Sequence, residues 1–251
     1  MSTLLPVLVL RSIAFNLYFL LLTVAMGLAA VPVRLFGRRH ALEYSRRWAA
    51  LSLAGLHRIC GIELRISGLE HLPPGKPALI ASQHRSAYDT LVWMNLVPRP
   101  AYVMKRELVR IPLVGPMLLL SGMIPLDRGG GARALRELLR ATDAAIADGR
   151  QIVIFPEGTR VPDGHEVPLQ PGIAALAARA DLPVIPVATD SGRCWSRRSF
   201  LRRPGVIHLD LAPPLPAGLR RPELLAAIRN GWRLAEAARP VDNLVESRRR
   251  P

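Results

Sequence analysis

Cysteine is almost absent from this chain: Cys60 and Cys194 are the only two in 251 residues. Two thiols without a partnering motif exclude a disulfide framework and read as structural thiols rather than nucleophiles. Aromatic residues make up only 5% of the chain, and no helix-turn-helix, zinc-ligand or RNP-like pattern occurs, which argues against nucleic acid as a partner. Lysine is equally scarce. Lys76 and Lys105 are the only lysines among 34 basic residues, so the formal net charge of +15 is carried by arginine. An excess of this size points to anionic partners such as lipid headgroups or phosphorylated substrates. His165-Glu166 has no second histidine at ligand spacing, so no metal is expected. There is no internal repeat and no long low-complexity linker, and a chain half hydrophobic at this length can bury a full α/β core.

What is present begins with an apolar run. From Ser12 to Val33 no side chain is charged, and as a helix this stretch is about 33 Å long, against a hydrocarbon thickness of about 30 Å. A secretory signal peptide with Ala29-Ala30 as its cleavage site is the alternative, but its apolar region is usually shorter. Only Arg11 precedes the run, whereas Arg34, Arg38, Arg39, Arg46 and Arg47 follow it, so the chain after Val33 is expected on the cytoplasmic side. His40 to Ile59, read as a helix, puts Glu43, Arg46, Arg47, His57 and Arg58 on one arc and mostly apolar residues on the rest. That suits a helix lying at an interface with its arginines toward headgroups, or one that packs on a core. The expected division is residues 1–60 as membrane-anchoring helices and 61–251 as an α/β domain, with the protein on the cytoplasmic face of the inner membrane.

Past residue 60, strands and helices alternate, which predicts a mixed, largely parallel α/β sheet flanked by helices. The strands are expected at 62–67, 78–82, 101–104, 122–126, 152–155, 184–187 and 206–211. The helices are expected at 87–97, 112–120, 132–148, 172–180 and 222–238. Gly129-Gly130-Gly131 precedes one helix, but without a Lys-Ser/Thr pair it makes a poor phosphate loop.

The chemistry concentrates at His84-Arg85-Ser86-Ala87-Tyr88-Asp89, just after the apolar run Pro77 to Ala81. An imidazole titrates near pH 6.5 and takes a proton at neutral pH, while a carboxylate on its other ring nitrogen fixes the tautomer. On one continuous helix the two would sit about 140° apart and never meet. The pair therefore requires a bend, with His84 in the loop after a strand and Asp89 in the first turn of the next helix. Ser86-x-x-Asp89 also reads as a variant of a helix capping box, an alternative that needs no catalysis.

Three later segments bear on that choice: Gly122 to Arg128, Phe155-Pro156-Glu157-Gly158-Thr159-Arg160, and Leu182 to Ala188. With His84 to Asp89 as the first block, their order and intervals resemble the four motifs of the glycerophospholipid acyltransferases, the 1-acylglycerol-3-phosphate acyltransferase family. The likeness covers about residues 60 to 215. Gln83 stands where the family more often has Asn, and Pro168 to Gly172 lacks the aromatic and Lys usual before that Gly.

The resemblance implies transfer of a fatty acyl group from a thioester, acyl-CoA or acyl carrier protein, to the free hydroxyl of a lysophospholipid at a membrane bilayer, without a cofactor. His84 would take the hydroxyl proton and Asp89 would hold the ring. Arg160, with Arg128 and Lys105, would hold the acceptor phosphate. By the same resemblance Glu157 and Gly158, with Thr159 between them and Arg160, serve acceptor binding, although Gly158 also suits a turn that needs positive φ. The apolar Pro112 to Leu120 region is a candidate lining for the acyl groove or part of the core. A thioesterase or lipid hydrolase using the same pair on water, another lyso-lipid acceptor such as a lyso-ornithine lipid, and a non-catalytic membrane module remain the alternatives.

Overall fold

Three segments with apolar side chains on both faces lie side by side at the centre of the sheet. In a computed structural model, which describes residues 4–33, 38–180 and 182–239, these are Leu79–Ser82, Gln151–Ile154 and Val184–Thr189. Every residue in them is buried, as expected for parallel strands covered by helices on both sides. With Ile62–Ser67 (β1), Leu79–Ser82 (β2), Pro100–Lys105 (β3), Ile124–Leu126 (β4), Gln151–Ile154 (β5), Val184–Thr189 (β6) and Gly205–Leu211 (β7), the order is β1-β7-β6-β2-β5-β3-β4. Strands β6, β2, β5, β3 and β4 are mutually parallel. Strand β7 pairs antiparallel with β6 and parallel with β1. The sheet is thus mixed and largely parallel, and the exits of its five parallel strands share one edge, where such sheets place ligands.

The helices are Leu4–Val33 (α1), Arg38–Cys60 (α2), Tyr88–Leu96 (α3), Val114–Leu120 (α4), Gly131–Ala147 (α5), Gly172–Ala180 (α6) and Arg221–Ala237 (α7). One sheet face carries α1, α2 and α3 over a core that runs from Phe15 and Leu56 through Trp93 and Tyr102 to Ile185 and Leu209. The other carries α5, α6 and α7 over Leu79, Ile152, Ile173, Ile228 and Trp232. Helix α7 is held close to the sheet by Trp232 Nε1, which donates to the Ala81 carbonyl at 2.8 Å. It can approach because Gly231 has no side chain: a Cβ there would lie 2.6 Å from Pro186 Cγ.

Both N-terminal helices pack on the rest of the protein. Helix α2 packs on the core, one of its two expected placements: Ala41, Leu42, Ala49 and Leu56 are buried, and Arg46 donates to the Pro98 carbonyl at 2.7 Å. Arg34 lies outside the described residues. Helix α1 is docked on the rest of the protein along its length. Arg202 donates to Asn16 Oδ1 at 2.9 Å, Tyr18 to the Leu51 carbonyl at 2.9 Å, Trp48 to Thr23 Oγ1 at 3.1 Å and Tyr44 to the Met26 carbonyl at 2.7 Å. Phe15 is fully buried, edge-on to Trp195 with ring centres 5.7 Å apart. The change of pattern at residue 60 is therefore crossed by continuous packing.

Candidate active site

Strand β2 ends at Ser82, and the chain then turns into α3 over Gln83 to Ala87, so His84 and Asp89 meet across a bend. His84 Nδ1 lies 3.0 Å from Asp89 Oδ2. The carboxylate is fully buried, and the same oxygen accepts from the backbone N–H of Arg85 and of Ser86, each at 2.8 Å. Asp89 thus ties down the loop that enters α3 and meets the histidine with the same oxygen, so the Ser86-x-x-Asp89 contact and the His84–Asp89 pair occur together. Ser86 Oγ adds to the cap by accepting from the Tyr88 N–H at 3.1 Å. The imidazole stacks on Phe155, ring centres 4.2 Å apart, and 16% of the side chain remains exposed. No hydrogen bond among the described residues engages its Nε2.

Glu157, expected on the acceptor's side, stands behind the histidine with both oxygens engaged by the protein. Oε2 accepts from the His84 N–H at 2.6 Å and Oε1 pairs with Arg85 at 3.2 Å. Arg85 also donates to the Val161 carbonyl at 3.3 Å. These bonds tie the loop after β2 to the loop after β5, and Val161 N–H completes the tie by donating to the His84 carbonyl at 2.8 Å. Burial pushes the Glu157 carboxyl up to about 7, against the opposing pull of the Arg85 guanidinium and the His84 N–H.

That displacement makes a proton-linked prediction. A carboxyl whose folded value exceeds its ordinary 4.5 contributes stability that is complete below pH 4.5 and lost as pH rises through about 7. Glu157→Gln is therefore expected to flatten the fall in stability across that window by on the order of 2 kcal/mol. Thermal melting of both proteins from pH 4.5 to 8 checks it: parallel pH profiles would mean that Glu157 is ionised throughout.

The remaining predicted residues lie along the same edge. Gly158 has φ +67°, and a Cβ there would come 3.0 Å from Gln170 Cγ, so the turn reading holds. Arg128, at the exit of β4, donates to the Gly158 carbonyl, linking it to the exit of β5. Burial draws its guanidinium below the ordinary arginine value. Thr159 is half-buried and Arg160 is exposed, and no ion pair engages the Arg160 guanidinium among the described residues. Lys105 is half-exposed, 3.7 Å from Glu107. Sequence reasoning missed the residues that hold the pair from other strands. Gln83 Oε1 accepts from the Thr189 N–H at 2.9 Å, and Ser191 Oγ donates to Asp89 Oδ1 at 2.5 Å. The first joins the end of β2 to β6 and the second joins α3 to the turn after β6, each across more than a hundred residues, and no local spacing signals them. The ring stack on Phe155 was equally unmarked, although Phe155 opens a quoted motif.

Residues 63–190 match the Acyltransferase family model, a span that contains His84, Asp89 and the Glu157 to Arg160 block. A 1-acyl-sn-glycerol-3-phosphate acyltransferase of Pseudomonas aeruginosa is 30% identical over 224 residues, 87% of this chain and 86% of that protein. One from Limnanthes douglasii is 33% identical over 159 residues, 62% of this chain and 56% of that protein. The crystal structure of the 1-acyl-sn-glycerophosphate acyltransferase PlsC from Thermotoga maritima superposes with a TM-score of 0.75, covering 92% of this chain and 98% of that one at 23% identity. The fold is shared at that distance, and on the family match and the extent of the bacterial relationship this chain belongs to the 1-acylglycerol-3-phosphate acyltransferase family and is an acyltransferase.

Proposed function

We propose that the enzyme moves a fatty acyl group from acyl-CoA or acyl carrier protein to the free hydroxyl of 1-acylglycerol-3-phosphate, giving phosphatidic acid. The observation that carries this reading is the His84–Asp89 pair at 3.0 Å with Nε2 open at the sheet edge. Nε2 takes the hydroxyl proton while the oxygen attacks the thioester carbonyl. The tetrahedral adduct then collapses, the C–S bond breaks, and the imidazolium returns the proton to the departing thiolate. Asp89 holds Nδ1–H throughout. A thiolate is a good leaving group, so the reaction needs no serine or cysteine nucleophile when the acceptor brings its own hydroxyl.

Arg160 is the phosphate ligand this geometry favours, because its guanidinium is exposed beside the histidine's loop and spends nothing on a protein carboxylate. Arg128 and Lys105 flank it from the exits of β4 and β3. Arg160→Ala is expected to raise KM for lysophosphatidic acid by about 10-fold or more, the lost contact being charge-assisted and worth about 1.5–3 kcal/mol. An uncharged lyso-lipid tried in the same assay should be little affected. Equal losses on both would make Arg160 structural.

The docking of α1 supports a position in the plane of one leaflet. The helix is about 45 Å long, uncharged from Ser12 to Val33, and its inner face is bonded to α2 and to the segment around Arg202. Standing it across a bilayer would drag those polar partners into hydrocarbon. The basic residues that follow Val33 in the sequence favour the cytoplasmic leaflet. An apolar cavity between α1, α2, α3 and α4, lined by Met26, Trp48, Met94, Leu113, Met117 and Leu118, is a place for part of an acyl chain.

The test is to incubate purified protein with labelled acyl-CoA, and separately acyl carrier protein, with and without lysophosphatidic acid. Phosphatidic acid formed only with the acceptor supports the proposal. Thioester loss without acceptor would make the enzyme a hydrolase, and preference for a lyso-ornithine lipid would move the acceptor.

A further inference from the structure

The catalytic carboxylate has two oxygens, and they are served unequally. Oδ2 accepts from His84 Nδ1 and from two backbone N–H groups of its own loop. Oδ1 is served from across the sheet, by Ser191 Oγ at 2.5 Å, with both residues fully buried. We propose that Ser191 is a positioning residue for acyl transfer: its hydroxyl fixes the rotation of the Asp89 carboxylate and thereby the orientation of His84. The inference rests on His84 being the base. The matched family span ends at residue 190, one position short of Ser191.

The surroundings explain why a serine at this place can do so. Ser191 opens a single helical turn, Ser191–Arg193, directly after β6. Its N–H donates to Thr189 Oγ1 at 3.2 Å, its carbonyl accepts from the Trp195 N–H at 2.9 Å, and the Thr189 N–H is held by Gln83 Oε1 at 2.9 Å. Gln83 immediately precedes His84. A closed circuit results, running from Gln83 to Thr189, Ser191, Asp89 and back to His84, so the hydroxyl is aimed by backbone bonds on both sides. Three donors on Oδ2 lie in one loop and permit the carboxylate to rock about that oxygen. The bond to Oδ1 stops the rocking, and that buried oxygen, whose one donor among the described residues is Ser191 Oγ, is costly to leave unpaired.

Removing the hydroxyl should therefore reduce the chemical step and leave substrate binding alone. Ser191→Ala is expected to lower kcat by about 10- to 100-fold, with KM for acyl-CoA and for lysophosphatidic acid within about two-fold of wild type. Because the residue acts through Asp89, the double variant Ser191→Ala/Asp89→Asn should be no slower than Asp89→Asn, to within about two-fold. Multiplicative losses in the double variant, an unchanged kcat, or a rise in KM with kcat preserved would each overturn the proposal. If Ser191→Ala fails to fold, as judged by thermal melting, Ser191→Cys carries the same cycle with a poorer donor in place. His84→Ala run alongside separates the failures: full activity there would sink the base assignment itself, whereas an inactive His84→Ala beside a fully active Ser191→Ala would sink only the role of Ser191.

Discussion

His84→Ala is expected to lower turnover by about 10²- to 10⁴-fold, the range for losing a general base, while the protein keeps its melting temperature to within a few degrees. The fold should survive because the loop is held by backbone and carboxylate groups the substitution leaves in place: the His84 N–H to Glu157, the His84 carbonyl to Val161, and Asp89 to two neighbouring amides. The side chain's own contribution to packing is one ring stack on Phe155, worth about 1 kcal/mol. Asp89→Asn should be damaged to a similar degree for a different reason. An amide that keeps its oxygen toward the Arg85 and Ser86 N–H groups also keeps it toward His84 Nδ1, because all three meet the same Oδ2, but it lacks the negative charge that steadies the imidazolium formed when the base takes its proton. Saturating both substrates and measuring kcat for the three proteins decides the matter. Near-normal turnover in His84→Ala would remove the base from the mechanism.

Much of this arrangement was legible in the sequence, and the pattern of what was not has a physical cause. The expected strands all form, since β2, β5 and β6 are buried on both faces and carry nothing but the residues such strands need. Their ends were less readable. The strand expected from Gly122 begins at Ile124, because Gly122, with φ +82°, is spent closing the turn after α4. The strand expected to reach Phe155 stops at Ile154, and Phe155 leaves the ladder to stack on His84. Helix α4 starts two residues late because Leu113 sits at φ +64°, outside helical space. The antiparallel entry of β7 and the single turns at 69–71, 106–110 and 191–193 left no periodic signal.

The same division runs through the site. His84 and Asp89 are five positions apart and could be paired by reasoning about one bend. The groups that steady them arrive from elsewhere: Ser191 from β6, Glu157 from β5, and Arg128, holding Gly158, from β4. Each of these is a contact between strand exits, set by the sheet order rather than by spacing. Glu157 illustrates the difference well. The resemblance implies a place at the acceptor, and the structure sets it beneath the His84 amide and beside Arg85.

The N-terminal helix is where the structure most changes what should be measured. Deleting residues 1–33 would seem the direct test of anchoring, but it would also strip Phe15 from Trp195, Asn16 from Arg202 and Thr23 from Trp48. Arg202 is buried and stacked 4.2 Å over the Trp195 ring, so its surroundings would be opened as well. Loss of activity after such a truncation would report unfolding. The outer face offers a cleaner experiment. Leu10, Leu17, Leu21, Val24, Leu28 and Val31 are all at least 40% exposed and recur at steps of seven, four and three residues, a single stripe along the helix. Replacing Leu10, Leu17, Leu21 and Leu28 together by Asn is expected to leave the melting temperature within a few degrees of wild type, because none of the four belongs to the core. The same change should release most of the protein from lipid vesicles. Each leucine fully withdrawn from water contributes about 1.5–3 kcal/mol, so the four together outweigh the surface arginines, at about 1 kcal/mol apiece near an anionic leaflet and less in salt. Vesicle sedimentation in low and high salt provides the readout, with activity on bilayer-presented and detergent-dispersed lysophosphatidic acid measured in parallel. Activity should fall on bilayers and persist in detergent. A quadruple variant that still sediments with vesicles in high salt would show that the outer face of α1 is not a membrane-binding surface.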